Sequence, residues 1–338
     1  MITEVKKPSQ EVLSYAAELI KSGKVVAVPT ETVYGLAANA YDSAACSEIF
    51  KAKGRPQDNP LIIHISNLDM LERSVKEIPP LALTLAEHFW SGPLTMIFPK
   101  KDIVPFATSG GLDTVAVRMP DNEATLNLIE LCGVPLAAPS ANLSGSPSPT
   151  CAAHVFDDMN GRIPLIIDGG ECRTGLESTV ICFTDGGRGI KILRPGAVTA
   201  DMLSSFAPVE TDKNVFAKPA DGEKVISPGV KYKHYSPKAE IIIVEADSDR
   251  GFADFLNKNA ADGVFAVIYG DEQGISIPTL CYGKTAEEQA HNLFACLRQT
   301  DELGAKRAYV RCPSKDGIGT AVYNRLLRAA AFKIIKAD

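Results

Sequence analysis

The chain has 338 residues, 45% hydrophobic and 22% charged, with a formal net charge of −6. That length suggests two domains, each able to bury its own core, and the ordinary composition excludes wholesale disorder. The acidic balance argues against a protein that coats nucleic acid by bulk charge.

The opening MITEVKKPSQEV has no apolar run of the kind a secretory signal needs. The longest stretch free of Asp, Glu, Lys and Arg, Leu131 to Phe156, is broken by Pro135, Pro139, Pro147 and Pro149, so no membrane span is expected. Eight scattered cysteines without a C-x-x-C pair read as reduced, mostly buried small hydrophobes in a cytoplasmic protein.

In chain order, Ser9 to Ser22 has the spacing of an amphipathic helix, with Ser9 placed to cap it and Gly23 to close it. A short strand, Val25 to Val28, stops at Pro29, and a helix is expected from Asp42 to Lys53. Further strands are expected at Leu61–Ile65, Leu94–Phe98, Thr114–Met119, Leu136–Ala138, Leu165–Ile167, Ser178–Ile181 and Lys191–Leu193. Helices fit Leu81–Trp90, Glu123–Leu131 and Thr150–Met159. Strands and helices interleave without strict alternation, which predicts an α/β fold with an open twisted mixed sheet. From Thr211 to Lys238 the texture becomes that of a linker, rich in Pro and Lys. Beyond it, strands at Ala239–Ala246, Val264–Tyr269 and Arg307–Cys312 alternate with helices at Asp249–Ala261, from Thr285, and at Gly319–Phe332. That pattern predicts a small Rossmann-like α/β domain. The expected division is therefore 1–210, a linker 211–238, and 239–338.

Familiar nucleotide and hydrolase motifs are missing. Gly283-Lys284-Thr285 ends like a phosphate-binding loop, but Pro278 stands where that loop needs Gly, and Thr285 with Glu288 reads better as a capping box. What remains are four segments that set polar groups at strand ends, where ligands of α/β sheets bind. Pro29-Thr30-Glu31-Thr32-Val33-Tyr34-Gly35 brings two hydroxyls, a carboxylate and a phenol to one turn. Lys51-Ala52-Lys53-Gly54-Arg55-Pro56, followed by Asn59-Pro60, offers cations suited to a polyphosphate, or else a solvated charged loop. Thr114 to Pro120 carries one arginine, Arg118, fit for a carboxylate or for a salt bridge. Ala138 to Gly145 places Ser140 and Asn142 in a turn that could cradle an anion. Together these favour a phosphate-bearing ligand.

The strings PTETVYGL, KAKGRPQDNPLIIHI, GPLTMIFP, TVAVRMP, PLAAPSANLSG, ESTVI and ILRPGA, in this order over roughly residues 10–200, resemble the YrdC-like family. With the linker SPGVKYKHYSP and the final α/β domain, the resemblance is to its long threonylcarbamoyl-AMP synthases. Ser91 stands where the family commonly has Pro. The resemblance implies an enzyme, a nucleotidyltransferase, joining L-threonine, bicarbonate (or CO2) and ATP into L-threonylcarbamoyladenylate with release of pyrophosphate. It further implies Mg²⁺ arriving with ATP, and a partner transferase that delivers the threonylcarbamoyl group to adenosine in tRNA, so that tRNA contact is indirect. Carried onto this sequence, Lys53, Arg55, Asn59, Thr114, Ser140, Asn142, Ser148 and Arg194 would hold ATP, with Tyr235 closing over the nucleotide. Thr32, His64, Arg118, Ala138 and Ser178 would surround threonine. No side-chain metal ligand and no general base is assigned. Two alternatives stand beside this: a non-enzymatic RNA-binding module of the same fold, and a carbamoyltransferase-type maturation protein. The latter carries zinc-binding C-x-x-C pairs that this sequence lacks.

Overall fold

The structure, a computed structural model, describes residues 1–57, 59–217 and 234–337. The described residues fall into two compact units, the first from 1–144, 148–173 and 177–217, the second from 145–147, 174–176 and 234–337.

The first unit opens with β1 (Glu4–Lys6) and α1 (Gln10–Lys21). The Val12 N–H donates to the Ser9 hydroxyl at the start of α1, and Leu13, Ala16, Ala17 and Ile20 are buried along one stripe. β2 (Val26–Val28) and β3 (Gly35–Asn39) lead into α2 (Ser43–Lys53), capped by Asp42 and closed by Gly54 in the left-handed region. Then follow β4 (Ile62–His64), α3 (Leu68–Ser74), α4 (Pro80–Phe89), β5 (Leu94–Pro99), α5 (Phe106–Ser109), β6 (Thr114–Arg118), α6 (Glu123–Cys132) and β7 (Leu136–Ala137). The unit is completed by α7 (Ala152–Met159), β8 (Leu165–Ile167), β9 (Thr179–Thr184), β10 (Gly189–Arg194), α8 (Ala200–Ser204) and β11 (Val209–Thr211).

Among the described residues these eleven strands form one mixed sheet, in the order β1-β8-β2-β3-β7-β4-β6-β5-β9-β10-β11. The twisted mixed sheet expected from the sequence is therefore present. The sequence reading had no strand at β3. GLAAN carries no β-branched or aromatic residue, and it is made a strand by antiparallel pairing with β2 and β7 rather than by its own preference.

The two faces of the sheet differ. Ile63, Val115, Val117, Met96 and Phe98 point into the main core with the helices. The alternate residues Ile62, Ile97, Ala116, Val180 and Leu193 form a separate small apolar floor. Strand alternation puts His64, Thr114 and Arg118 on this same face, because Ile62 pairs with Ala116 and His64 with Arg118 across parallel strands.

The second unit holds β12 (Glu240–Ala246), α9 (Asp249–Lys258), β13 (Val264–Ile268), β14 (Thr279–Cys281), α10 (Ala286–Glu302), β15 (Arg307–Arg311), α11 (Gly319–Ala329) and β16 (Ile334–Ala337). Its five strands, all parallel, lie in the order β14-β13-β15-β12-β16. The capping box expected at Thr285 and Glu288 is formed. The final helix ends at Ala329, three residues before its expected end, and the chain goes on to β16, an edge strand whose Ile334 is exposed and whose Ile335 and Ala337 pack on the core. Of the expected linker, Thr211 ends β11, Lys213–Val215 forms a short 3-10 turn, 218–233 lies outside the described residues, and 234–238 belongs to the second unit.

Candidate active site

The polar floor residues form two groups, at opposite ends of β4 and β6. At the starting end, Lys53 leaves the last turn of α2 and is almost fully buried. Its Nζ donates to the carbonyls of Ser140 and of Asn142 (2.6 Å), and to Asn142 Oδ1 at 3.3 Å. Ser140 Oγ donates to the same Oδ1 at 2.5 Å, and Asn142 Nδ2 donates to the Leu143 carbonyl. Lys53 therefore ties the 140–142 turn to α2, and that turn is set against β3 by the Gly35–Ser140 bridge. Arg55 lies beside it, reaching the Pro60 carbonyl at 3.4 Å, while Thr114, paired with Pro99, starts β6. Asn59 Nδ2 and Ser109 Oγ are buried here without a hydrogen-bond partner. Buried polar atoms are normally bonded, so these two have hydrogen-bonding capacity to spare.

At the finishing end, Arg118 is 4% exposed. Its Nε donates to the Gly92 carbonyl at 3.1 Å and Nη1 to Thr32 Oγ1 at 2.9 Å. Glu31 Oε1 stands 2.6 Å from Nη2 as an ion pair, out of line for a hydrogen bond. The Thr30 hydroxyl donates to the Val33 carbonyl at 2.7 Å, so its 2.8 Å contact with Thr32 uses the Thr32 proton. Thr32 therefore faces the site as an acceptor. His64, registered beside Arg118, has its Nδ1 buried and unpartnered. Burial, and then the Arg118 charge, push its pKa down to about 3, leaving a neutral imidazole at physiological pH.

Ser178 shares this end: its Oγ meets Thr95 Oγ1 at 2.7 Å and accepts from Arg194 Nη2 at 3.2 Å. Arg194 Nε also donates to the Ser178 carbonyl. Ser148 Oγ donates to Glu177 at 2.5 Å, one residue away. Two residues expected around the nucleotide, Ser148 and Arg194, are thus joined by hydrogen bonds to the end expected around threonine. Ala138 lies between, its N–H on the Ile62 carbonyl. The Thr114 to Arg118 span is four strand steps, about 13 Å.

Thr30 and Glu31 lie in the polar segment that the sequence singles out after β2, and Glu177 in the string ESTVI, without roles of their own; Thr95 was missed, and its signal was a Thr in LTMIFP on the face away from the core. Tyr235 belongs to the second unit, where it is buried against Phe294 with the Arg325 guanidinium over its ring. Its φ of 62° is left-handed.

All eight cysteines are free, but only Cys46, Cys132, Cys172 and Cys296 are buried, and Cys281 is exposed, so the expectation of mostly buried thiols holds for half of them. Burial raises the Cys172 and Cys296 thiols to about 12, which makes them inert. Among the described residues, no helix is long and apolar enough to cross a membrane.

A family model described as Telomere recombination, covering the Sua5, YciO and YrdC proteins, matches residues 18–196. One described as the threonylcarbamoyl-AMP synthase C-terminal domain matches residues 198–331. The chain is 47% identical to the threonylcarbamoyl-AMP synthase of Pyrococcus abyssi, over 95% of this chain and 94% of that one. It is 39% identical to the Bacillus subtilis synthase, over 99% and 97%. Its structure resembles that of P. abyssi Sua5 complexed with L-threonine, with a TM-score of 0.90 at 44% identity, covering 100% of this chain and 99% of that one.

Proposed function

The chain belongs to the Sua5/YciO/YrdC family, in the form that carries the threonylcarbamoyl-AMP synthase C-terminal domain, and from that premise we propose that it makes L-threonylcarbamoyladenylate from L-threonine, bicarbonate (or CO2) and ATP. The threonine amine and bicarbonate give a carbamate and water. A carbamate oxygen then bonds to the α-phosphorus of ATP as the bond to the β-bridging oxygen breaks, releasing pyrophosphate. This makes the chain a nucleotidyltransferase.

The observation that carries the reading is one apolar floor with an arginine fork at one end and a Lys–Arg loop system about 13 Å away. Arg118 Nη2, which makes no aligned hydrogen bond, suits the threonine carboxylate as half of a bidentate pair. Thr32, His64, Ala138 and Ser178 line the amino-acid end. Thr32 accepts from the substrate amine or hydroxyl, and His64 supplies a neutral group beside the cation. Lys53, Arg55, Asn59, Thr114, Ser140 and Asn142 hold the nucleotide. Lys53 acts chiefly by fixing the 140–142 turn. Ser148 and Arg194 meet the phosphates where the two substrates join. Because the step moves an already anionic group, positioning and charge neutralisation do most of the work.

Mg²⁺ belongs to the reading as a companion of ATP, neutralising phosphate charge. The domain division at about 210 and 238 is supported by the first sheet ending at Thr211 and the second beginning at Glu240. A separate transferase uses the product to modify adenosine in tRNA, and the setting is the cytoplasm.

The test is pyrophosphate release by the purified chain. Turnover that requires both threonine and bicarbonate supports the reading. A chain that binds tRNA tightly and releases no pyrophosphate is instead an RNA-binding module.

A further inference from the structure

We propose that Glu31 is a positioning residue for Arg118, fixing the guanidinium so that its free edge meets the amino-acid carboxylate; this rests on the threonine reading above. Glu31 is 5% exposed, and its two oxygens have separate tasks. Oε1 stands 2.6 Å from Arg118 Nη2, and Oε2 accepts the Asp121 N–H at 3.1 Å. Asp121 lies three residues beyond Arg118 on the same segment. The carboxylate is therefore anchored to the stretch of chain that carries the cation it faces.

A guanidinium has five N–H groups in a rigid fork. Here Nε is held by the Gly92 carbonyl and Nη1 by Thr32, both by hydrogen bonds. Without Glu31, nothing among the described residues restrains the Nη2 side, and the buried charge has lost its counterion. With it, the fork is braced on both flanks while N–H groups on Nη1 and Nη2 stay available to one bidentate ligand. Oε1 faces the Arg118 cation and Oε2 the Asp121 N–H, so Glu31 orients a cation.

The experiment measures steady-state pyrophosphate release by the full-length chain and its E31Q and E31D variants, with threonine and ATP varied separately. E31Q keeps the size and the acceptor for the Asp121 N–H but removes the charge. The expected result is a threonine KM raised about tenfold, with kcat within about threefold and the ATP KM unmoved. E31D keeps the charge on a shorter arm and should fall between the two. A merely structural Glu31 would lower the folded fraction and the apparent kcat and leave the threonine KM where it was; that result overturns the proposal. If E31Q does not fold, E31D carries the test alone, and an unchanged threonine KM there overturns it equally. Failure of the parent reading looks different, because the wild-type chain itself would then show no threonine-dependent release.

Discussion

At the scale of residues, the site is organised by what its polar atoms are already doing. Arg55 reaches the Asn59 and Pro60 carbonyls at 3.5 and 3.4 Å, and its guanidinium lies over the Phe50 ring. Arg55→Ala should lower kcat/KM for pyrophosphate release by about 10²- to 10³-fold, the usual effect of removing a charge-stabilising donor. His64 makes a prediction about stability. Its folded pKa, about 3, lies below the ordinary value near 6.5. Between those pH values the unfolded chain binds a proton that the native chain does not. Stability must therefore fall as pH drops below about 6.5, by up to about 1.4 kcal/mol per pH unit from this group. Urea unfolding across pH 6.5 to 4.5 should show a shallower acid slope in His64→Gln than in the wild type; equal slopes would contradict the neutral buried imidazole. Arg118, Ser140 and Asn142 were legible in the sequence because each sits in a short polar string at a strand end. Thr95 was not, since its part depends on a side-chain partner 83 residues away; Glu31 stands in such a string, but its part shows only beside Arg118, 87 residues on.

The elements deliver these side chains through register, so small backbone changes should act selectively. Gly110 closes α5 with a φ of 61°, and a Cβ there would stand 2.8 Å from the Pro60 nitrogen and 3.2 Å from the Asn59 carbonyl carbon. Gly110→Ala combines left-handed strain of roughly 1–2 kcal/mol with a push on Asn59. The expected outcome is a raised ATP KM with the threonine KM unchanged, measured by varying each substrate. A rise in the threonine KM alone would contradict the placement of Asn59 at the nucleotide end. Strong periodicity made α1, β6 and β15 readable in advance. β3 and β16 were not: β3 is built largely of small residues and is made a strand by pairing, while β16 is only four residues long, directly after the final helix, where its two isoleucines are too short a run to read. β11 was hidden for the same reason: its three residues are polar or half-exposed, and they align with β10.

For the whole molecule, the net charge of −6 is unevenly divided along the chain. Residues 1–210 hold 17 basic and 24 acidic side chains, whereas 211–338 hold 18 and 17. Lys53, Arg55, Arg118 and Arg194 are gathered in the acidic half, on or near one sheet face. On the proposed function, bulk attraction to RNA is weak. Filter binding at physiological salt should give a tRNA Kd no tighter than about 10 µM, within the non-specific range, and added tRNA should leave pyrophosphate release unchanged. The central claim is tested most directly by mass spectrometry of the nucleotide product formed from ATP, threonine and ¹³C-bicarbonate. The account predicts an adenylate that carries threonine and a single labelled carbon, formed with pyrophosphate. ADP and phosphate instead, or a threonine adenylate without the label, would contradict it.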